Sequence, residues 1–159
     1  MVEMGFHKHY LSVIVPVYND AENLANCLDA LDKQTLDKSC FEVVVVDNGS
    51  DDDVQSVVRA RPRVSLVHEL RPGSYAARNK GVSVSKGDIL AFTDSDCLPR
   101  EDWLEKGLHS VQVKRKPGFV AGRLSFFPAD PNNLTAAELW EMVNNYDAKK
   151  FVKAMNFGL

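Results

Sequence analysis

The sequence predicts an α/β fold, with a doubly wound, mostly parallel sheet that carries helices on both faces. Two observations predict this fold. Short apolar runs rich in valine, leucine and isoleucine recur along the chain, as is typical of strands buried on both faces of a parallel sheet. Segments with apolar residues at helical spacing separate these runs, and capping residues precede them. This alternation is the pattern of βαβ units.

The composition limits the classes of partner. The chain has 159 residues, enough for one domain with a substantial core, and a formal net charge of −3. Because no long basic run occurs, no nucleic acid is expected as a partner. No apolar run has the length of a membrane span, and Cys27, Cys40 and Cys97 lack metal-ligand spacing. We therefore expect a reduced chain in the cytoplasm, at most peripheral at the inner face of the membrane.

The first strand is predicted over residues 11–17 (LSVIVPV), after a leader formed by residues 1–10. Asn19 or Asp20 is expected to cap a helix that begins near Ala21. Apolar residues at helical spacing form the core face of this helix, namely Leu24, Cys27, Leu28 and Leu31.

The second strand is predicted over residues 41–46 (FEVVVV), and it runs directly into a polar turn over residues 47–50. Asp51, Asp52 and Asp53 follow at the start of the next helix. Carboxylates at that position accept bonds from the first amides and suit the helix dipole. These three aspartates are therefore interpreted as helix caps.

A third, short strand is predicted over residues 64–67, and a loop over residues 71–74 leads to a helix over about 75–84. Arg71 and Arg78 each carry a guanidinium group, which recognises phosphate well. For Arg78 the sequence supports a structural ion pair and a phosphate contact equally, so both interpretations stay open.

The stretch over residues 87–99 (GDILAFTDSDCLP) places two carboxylates after an apolar run. Residues 89–92 are predicted to form a strand buried on both faces. Residues two apart in an extended segment point to the same side, so Asp94 and Asp96 are expected to face one cation, with Ser95 turned away. Hard ions such as Mg²⁺ or Mn²⁺ take oxygen ligands and keep positions open for phosphates. A metal site at this strand end is therefore predicted, with a solvated turn as the alternative.

The remainder of the chain is predicted to contain a helix over residues 101–113, a strand over 119–127 and a final helix over 135–150. Residues 11–159 are assigned to a single domain. The apolar face of the final helix is expected to be exposed and to support self-association, and it consists of Leu139, Trp140, Val143 and Tyr146.

Four blocks resemble those of the family 2 glycosyltransferases, whose GT-A fold is Rossmann-like. The blocks are SVIVPVYN, VVVVDNGSDDD, ARNKG and GDILAFTDSDCLP, and they have the family's order and spacing. The resemblance covers residues 11 to about 127. It implies inverting transfer of a sugar from a nucleotide-diphosphate donor, often UDP-linked, to an acceptor hydroxyl.

The resemblance also implies roles for individual residues. Asp47 contacts the base, and Asp94 and Asp96 bind ribose and a divalent cation, Mn²⁺ or Mg²⁺, that bridges the diphosphate. Asn48 stands where the family often has a second aspartate, so a charge is lost there. The complete nucleotide-sugar site implied is Pro16, Val17, Tyr18, Asn19, Asp47, Asn48, Arg71, Arg78, Asp94 and Ser95.

The acidic base that the family carries has no convincing match in this chain. Glu138, Glu141 and Asp147 are explained by a solvated helix face, and His68 and His109 show no partner that would mark them as bases.

The base is therefore expected beyond Leu159, in a longer enzyme of which this chain is the donor-binding part. The acceptor, a saccharide or a lipid-linked glycan, is expected to bind there too. Two alternatives stay open. One is a nucleotidyltransferase, which usually has a Gly-rich, basic loop after the first strand; the other is a non-catalytic module that binds nucleotide sugars.

Overall fold

The computed structural model describes residues 10–113, 120–122 and 132. Strands and helices alternate along this part of the chain, as predicted. Their bounds are β1 Leu11–Val17, α1 Ala21–Asp32, β2 Phe41–Asp47, α2 Val54–Arg59, β3 Val64–His68, α3 Ser74–Val84, β4 Ile89–Phe92 and α4 Trp103–Val113. A short 3₁₀ turn, Lys38–Cys40, precedes β2.

The described strands form one parallel sheet in the order β3-β2-β1-β4. β1 pairs with β2 along its whole length, from Leu11 opposite Phe41 to Val17 opposite Asp47. The β2–β3 ladder ends with Asp47 opposite His68. This architecture confirms the predicted α/β class and places the carboxyl ends of the four strands side by side.

Both faces of the two central strands are covered. Every residue of β1 is buried, and β2 is buried except for the partly exposed Glu42. On one face Ile14, Val44 and Val46 pack with Ala77 of α3. Side chains alternate between faces along a strand, so the equally buried Val15 lies on the opposite face. Continuous valine-rich runs thus form strands because neither face meets water.

Pro16 fits into β1 because the β1–β4 ladder has already ended at that point. Ile14 is the last residue of β1 that pairs with β4, and its carbonyl accepts the amide of Thr93. The Val17 carbonyl instead accepts the amide of Asn48, on the β2 side. Backbone groups alternate sides, so Pro16 faces the β4 side beyond the last pair, where its missing donor is not needed.

The prediction that residues 89–92 are buried on both faces is wrong. Leu90 and Phe92 are 38% and 44% exposed. The alternate residues of the strand, Ile89 and Ala91, are partly buried. Within the described residues β4 pairs with β1 alone and lies at the sheet edge. A short apolar run is compatible with a central or an edge strand, so the sequence did not distinguish them.

The chain divides into two compact units, Met1–Lys106 and Gly107–Leu159, and the first contains the whole described sheet. Residues 120–122 lie in no strand, so the strand predicted over 119–127 is wrong at these positions. The rest of that strand, the final helix with its apolar face, and residues 1–9 of the leader lie outside the described residues. No helix in the described ranges is long and apolar enough to cross a membrane.

Gly81 is the closest approach between α3 and the sheet, and this contact predicts a stability difference. A Cβ at Gly81 would collide with Cγ2 of Ile14 and lie 3.3 Å from Cγ2 of Val46. At Gly107 in α4, a Cβ would meet none of the described atoms within 4 Å. Both substitutions to alanine gain the same helix propensity, about 1 kcal/mol.

We expect Gly81→Ala to be less stable than Gly107→Ala by about 1–3 kcal/mol, because overpacking a core has that cost. Urea unfolding of the two variants and the parent measures the difference. Equal stability of the two variants would show that α3 moves away from the sheet at no cost.

Candidate functional site

The candidate site lies at the carboxyl edge of the sheet, where loops follow all of its strands. The loop after β1 begins with Tyr18, Asn19 and Asp20. The segment that contains Asp94 and Asp96 follows β4. The chain order changes direction between β1 and β4, which is the position where open α/β sheets bind ligands.

The predicted residues that line the pocket after β1 differ in accessibility. Pro16 and Val17 are buried inside the strand, whereas Tyr18 is 63% exposed and Asn19 is also exposed. Within the described residues, therefore, only the second pair presents side chains at the edge of the sheet.

Asp47 ends β2 with a carboxylate that is already bound on both oxygens. Oδ1 accepts the amide of Ser50 at 2.9 Å, and Oδ2 lies 3.2 Å from Nδ1 of His68. The strand register brings Asp47 and His68 together, since they are opposite residues of the β2–β3 ladder. The sequence shows no partner that would mark His68 as a base, and the structure places Asp47 beside it from another strand.

Asn48 fixes the loop that follows β3. Its Nδ2 donates to the carbonyl oxygens of Glu69 and Arg71 at 2.7 and 2.8 Å, and its Oδ1 accepts the amide of Gly73 at 2.8 Å. A carboxylate at this position has no proton to donate to the two carbonyls. The charge that appeared lost in the sequence is thus replaced by an amide that connects two loops.

Arg71 forms an ion pair with Glu69 inside this loop. The guanidinium donates to both carboxylate oxygens, at 3.2 and 3.1 Å, and the Arg71 amide adds a bond of 2.9 Å. These bonds lower the pKa of Glu69 to about 2. The Arg71 side chain is 76% exposed, so the predicted phosphate contact has no steric obstacle among the described residues.

The loops after β1 and β2 are held together by side chain–backbone bonds. Asn19, which has a φ of +50°, donates its amide to Oγ of Ser50 at 2.9 Å. Its side-chain Oδ1 accepts the amide of Asp51 at 2.7 Å. Asn tolerates this left-handed backbone better than most residues, which explains its place at the turn.

The helix caps differ from the prediction, because Asp53 alone of the three consecutive aspartates is the N-cap of α2. Asp53 caps α2 as expected, because its side chain accepts the amide of Ser56 at 3.0 Å and this bonding lowers its pKa. Asp52 instead accepts the amide of Ala21 at 2.7 Å, at the start of α1. Asp20 occupies the cap position of α1, yet its side chain makes no cap bond to that helix in the described chain.

The segment over residues 94–97, termed here the acidic turn, is not extended. The amide of Cys97 donates to the carbonyl of Asp94 at 3.2 Å and closes a turn. Side chains alternate between two sides only in an extended segment, so this alternation does not apply to the turn. The reason given for expecting Asp94 and Asp96 on one side is therefore wrong. The two aspartates are nevertheless both exposed, and Ser95 between them is only 9% exposed.

Contacts from α1 and α3 hold the acidic turn. Arg78 of α3 forms an ion pair with Oδ1 of Asp94, which places its guanidinium at the acidic turn, and the phosphate contact stays a prediction. The thiol of Cys27 in α1 donates to the Asp94 carbonyl at 3.6 Å. Burial, with the nearby Cys97 thiol and the turn's carboxylates, raises the pKa of Cys27 to about 12, so the thiol stays protonated.

The donor chemistry at the acidic turn suits a divalent cation only in part. Asp94 and Asp96 supply exposed carboxylate oxygens, which Mg²⁺ and Mn²⁺ prefer. No group of three or more His, Cys, Asp or Glu in the described residues is arranged to hold a metal ion. The residues therefore fit a cation whose remaining ligands are phosphate oxygens and water.

Comparisons with known proteins find similar sequences and similar folds. The family model described as glycosyl transferase family 2 matches residues 12–157. The chain is 41% identical over 152 residues to Glycosyltransferase AglE of Haloferax volcanii, covering 92% of this chain and 49% of AglE. The chain thus spans about half the length of this curated relative.

Two solved structures are similar to the fold. The mannosyltransferase PcManGT from Pyrobaculum calidifontis, in complex with GDP-Man and Mn²⁺, has a TM-score of 0.62 and 33% identity, over 67% of this chain and 33% of PcManGT. S. aureus TarS 1-349, in complex with UDP-GlcNAc, has a TM-score of 0.58 and 32% identity, over 65% of this chain and 31% of TarS 1-349.

The Asn48 contacts predict that a carboxylate at this position destabilises the chain. We expect Asn48→Asp to lower the free energy of unfolding by about 1–3 kcal/mol, because two carbonyls lose their donors. Asn26→Asp, at an exposed position of α1, makes the same charge change and should stay within about 0.5 kcal/mol of the parent. Denaturant unfolding of both variants measures the effect, and equal values would contradict a stabilising role for the amide.

The Arg71–Glu69 pair predicts a pH-dependent difference in stability. A carboxyl whose pKa is lowered on folding stabilises the fold above its unfolded pKa, here 4.5, and loses this contribution as pH falls toward 2. We expect Arg71→Gln to be less stable than the parent at neutral pH and to match it near pH 2. Thermal unfolding of Arg71→Gln and the parent between pH 7 and pH 2 measures the difference in stability. A difference that does not change with pH would show that Arg71 stabilises the fold by packing and not by its ion pair with Glu69.

Proposed function

The chain belongs to glycosyl transferase family 2, and we propose that its sheet edge binds the nucleotide-diphosphate sugar donor of a metal-dependent, inverting glycosyltransferase. One observation carries the proposal. The parallel register brings Asp47 to the edge beside the β1 loop, and the acidic turn follows β4 on the other side of that loop. The groups that we propose to bind the base and the cation therefore flank the crevice where α/β sheets bind nucleotides.

Asp47 is the residue that we propose to bind the nucleobase. Its oxygens each accept one bond within the chain, from the Ser50 amide and the His68 ring, and each carboxylate oxygen has a second lone pair. The imide N–H of uracil fits such an acceptor, so a UDP-linked donor is proposed. The solved relatives include complexes with UDP-GlcNAc and with GDP-Man, so both nucleotides belong in the test.

Asp94 and Asp96 are the residues that we propose to hold Mn²⁺ or Mg²⁺. When bound, the cation would neutralise negative charge on the departing diphosphate. Arg78 already lies at Asp94, and the exposed Arg71 lies in the loop fixed by Asn48, so each can present a guanidinium to phosphate oxygens. Without cationic groups, the carboxylates would repel the diphosphate.

Transfer with inversion needs an acceptor hydroxyl held in line with the leaving diphosphate and a base within hydrogen-bond reach of that hydroxyl. Among the described residues we assign no carboxylate to the base. We propose that the base and the groups that bind a saccharide or lipid-linked acceptor are supplied by residues outside these 159. The partial coverage of AglE supports this division of roles.

The proposed cation site predicts that manganese strengthens nucleotide binding through Asp96. Calorimetric titrations with UDP and with GDP, each with Mn²⁺ or a chelator, should show tighter binding with Mn²⁺ for the parent. We expect Asp96→Ala to lose about 10-fold or more of this gain, because a ligand matters at least as much as the outer-shell partners that contribute 10–100-fold.

The matched control is Asp32→Ala, which removes an exposed carboxylate at the end of α1 and should bind as the parent does. Binding of either nucleotide to Asp96→Ala with the parent's full manganese gain would contradict the assignment of the cation to the acidic turn. Binding of neither nucleotide to the parent would contradict the donor site itself.

A further inference from the structure

Within the described chain, the side chain of Asp20 makes no cap bond to the helix that it precedes. An aspartate at an N-cap normally accepts an amide of the first helical turn. Here Oδ2 accepts the hydroxyl of Ser95 at 2.8 Å, and Oδ1 accepts Nδ2 of Asn23 at 2.7 Å. The Ala21 amide is bound by Asp52 instead. Asp20 is thus available to contact the acidic turn because another loop serves the helix terminus.

Ser95 is the buried centre of an exposed motif. It is 9% exposed, whereas the side chain of Asp94 is 56% exposed. A hydroxyl buried to this degree requires a partner, and Asp20 provides it. Because Ser95 points inward to this bond, the turn presents Asp94 and Asp96 outward.

A second contact ties the same turn to α1. The Cys27 thiol donates to the Asp94 carbonyl, which also accepts the amide of Cys97 across the turn. A thiol is a weak donor, whereas a hydroxyl that donates to a carboxylate forms a charge-assisted bond. The Asp20–Ser95 bond is therefore the stronger of these two bonds to the acidic turn.

We propose that Asp20 is a positioning residue, whose carboxylate holds Ser95 and thereby orients Asp94 and Asp96 toward the cation. This inference rests on the proposed function, because it assigns Asp20 to the support of that cation site. Groups that orient metal ligands without touching the metal commonly change metal affinity by about 10–100-fold when they are replaced. From the sequence, Asp20 was expected only as a possible cap of the helix that begins near Ala21.

The first measurement needs neither nucleotide nor metal. Amide hydrogen exchange over residues 93–98 is compared in the parent, Asp20→Ala, Ser95→Ala and the double variant. We expect each single variant to exchange faster in this segment, and the double variant to exchange no faster than the singles, because all three lack the same bond. Unchanged exchange in both single variants would overturn the proposal.

The second measurement separates positioning from general support of the fold. The nucleotide that the parent binds, UDP or GDP, is titrated into each variant with Mn²⁺ and with chelator. We expect Asp20→Ala and Ser95→Ala to lose about 10-fold of the manganese-dependent gain. Affinity in chelator should be unchanged. Equal losses under the two conditions would overturn the proposal, since a structural defect affects both.

Conservative and matched variants complete the test. Asp20→Asn keeps one side-chain oxygen, which can accept the Ser95 hydroxyl. Its new NH₂ group then faces Asn23, whose amide can turn to present its oxygen as the acceptor. This variant should therefore retain most of the manganese-dependent gain. Asp32→Ala and Ser83→Ala, at exposed positions of α1 and α3, should behave as the parent.

A loss of the gain in Asp20→Asn as large as in Asp20→Ala would contradict the role of the Ser95 bond. Failure of the proposed function has a different result, because the parent itself would then gain nothing from Mn²⁺, and the cation role of Asp20 would fail with it.

Discussion

The parallel pairing of β1 with β2 is the constraint on which the rest of the structure depends. Their ladder runs from Leu11 opposite Phe41 to Val17 opposite Asp47 without a bulge. A slip of one residue would move the side chains of one strand to the opposite face of the sheet. Because both strands are buried on both faces, the specific packing of Ile14, Val44 and Val46 against Ala77 holds this register, rather than an alternating pattern. The same register places Asp47 at the edge of the sheet, where it meets His68 on the next strand. Core packing and site geometry are therefore fixed by one set of backbone bonds.

The loops at this edge have no regular structure, and side chain–backbone bonds hold them instead. Asn48 connects the end of β2 to the loop after β3, through three bonds of its amide. Asn19 connects the loops after β1 and β2 in the same manner. Each such bond contributes about 1 kcal/mol, so several together can fix a loop that buries little apolar surface.

The sequence predicted the central part of the fold well, because its signals are local. The runs that form β1 and β2 and the core face of α1 follow from periodicity within single segments. Two of the errors concern contacts between distant segments. His68 obtains its partner from a neighbouring strand, and Asp20 bonds to Ser95, 75 positions further along the chain. Propensities for caps and turns describe neighbours in sequence, so they assigned Asp20 to its own helix.

The loop after β1 joins the two halves of the candidate site. Asp47 and its partners lie on one side of β1, and the acidic turn follows β4 on the other side. Asn19 bonds to Ser50, whose amide is held by Asp47. The next residue, Asp20, bonds to Ser95 of the acidic turn. Two consecutive residues of one loop thus contact both halves of the candidate site. The distance between the two halves is therefore set by the peptide geometry of that loop. A ligand that contacts both Asp47 and the acidic turn would therefore meet groups whose spacing is already established before it binds, which lowers the cost of ordering them.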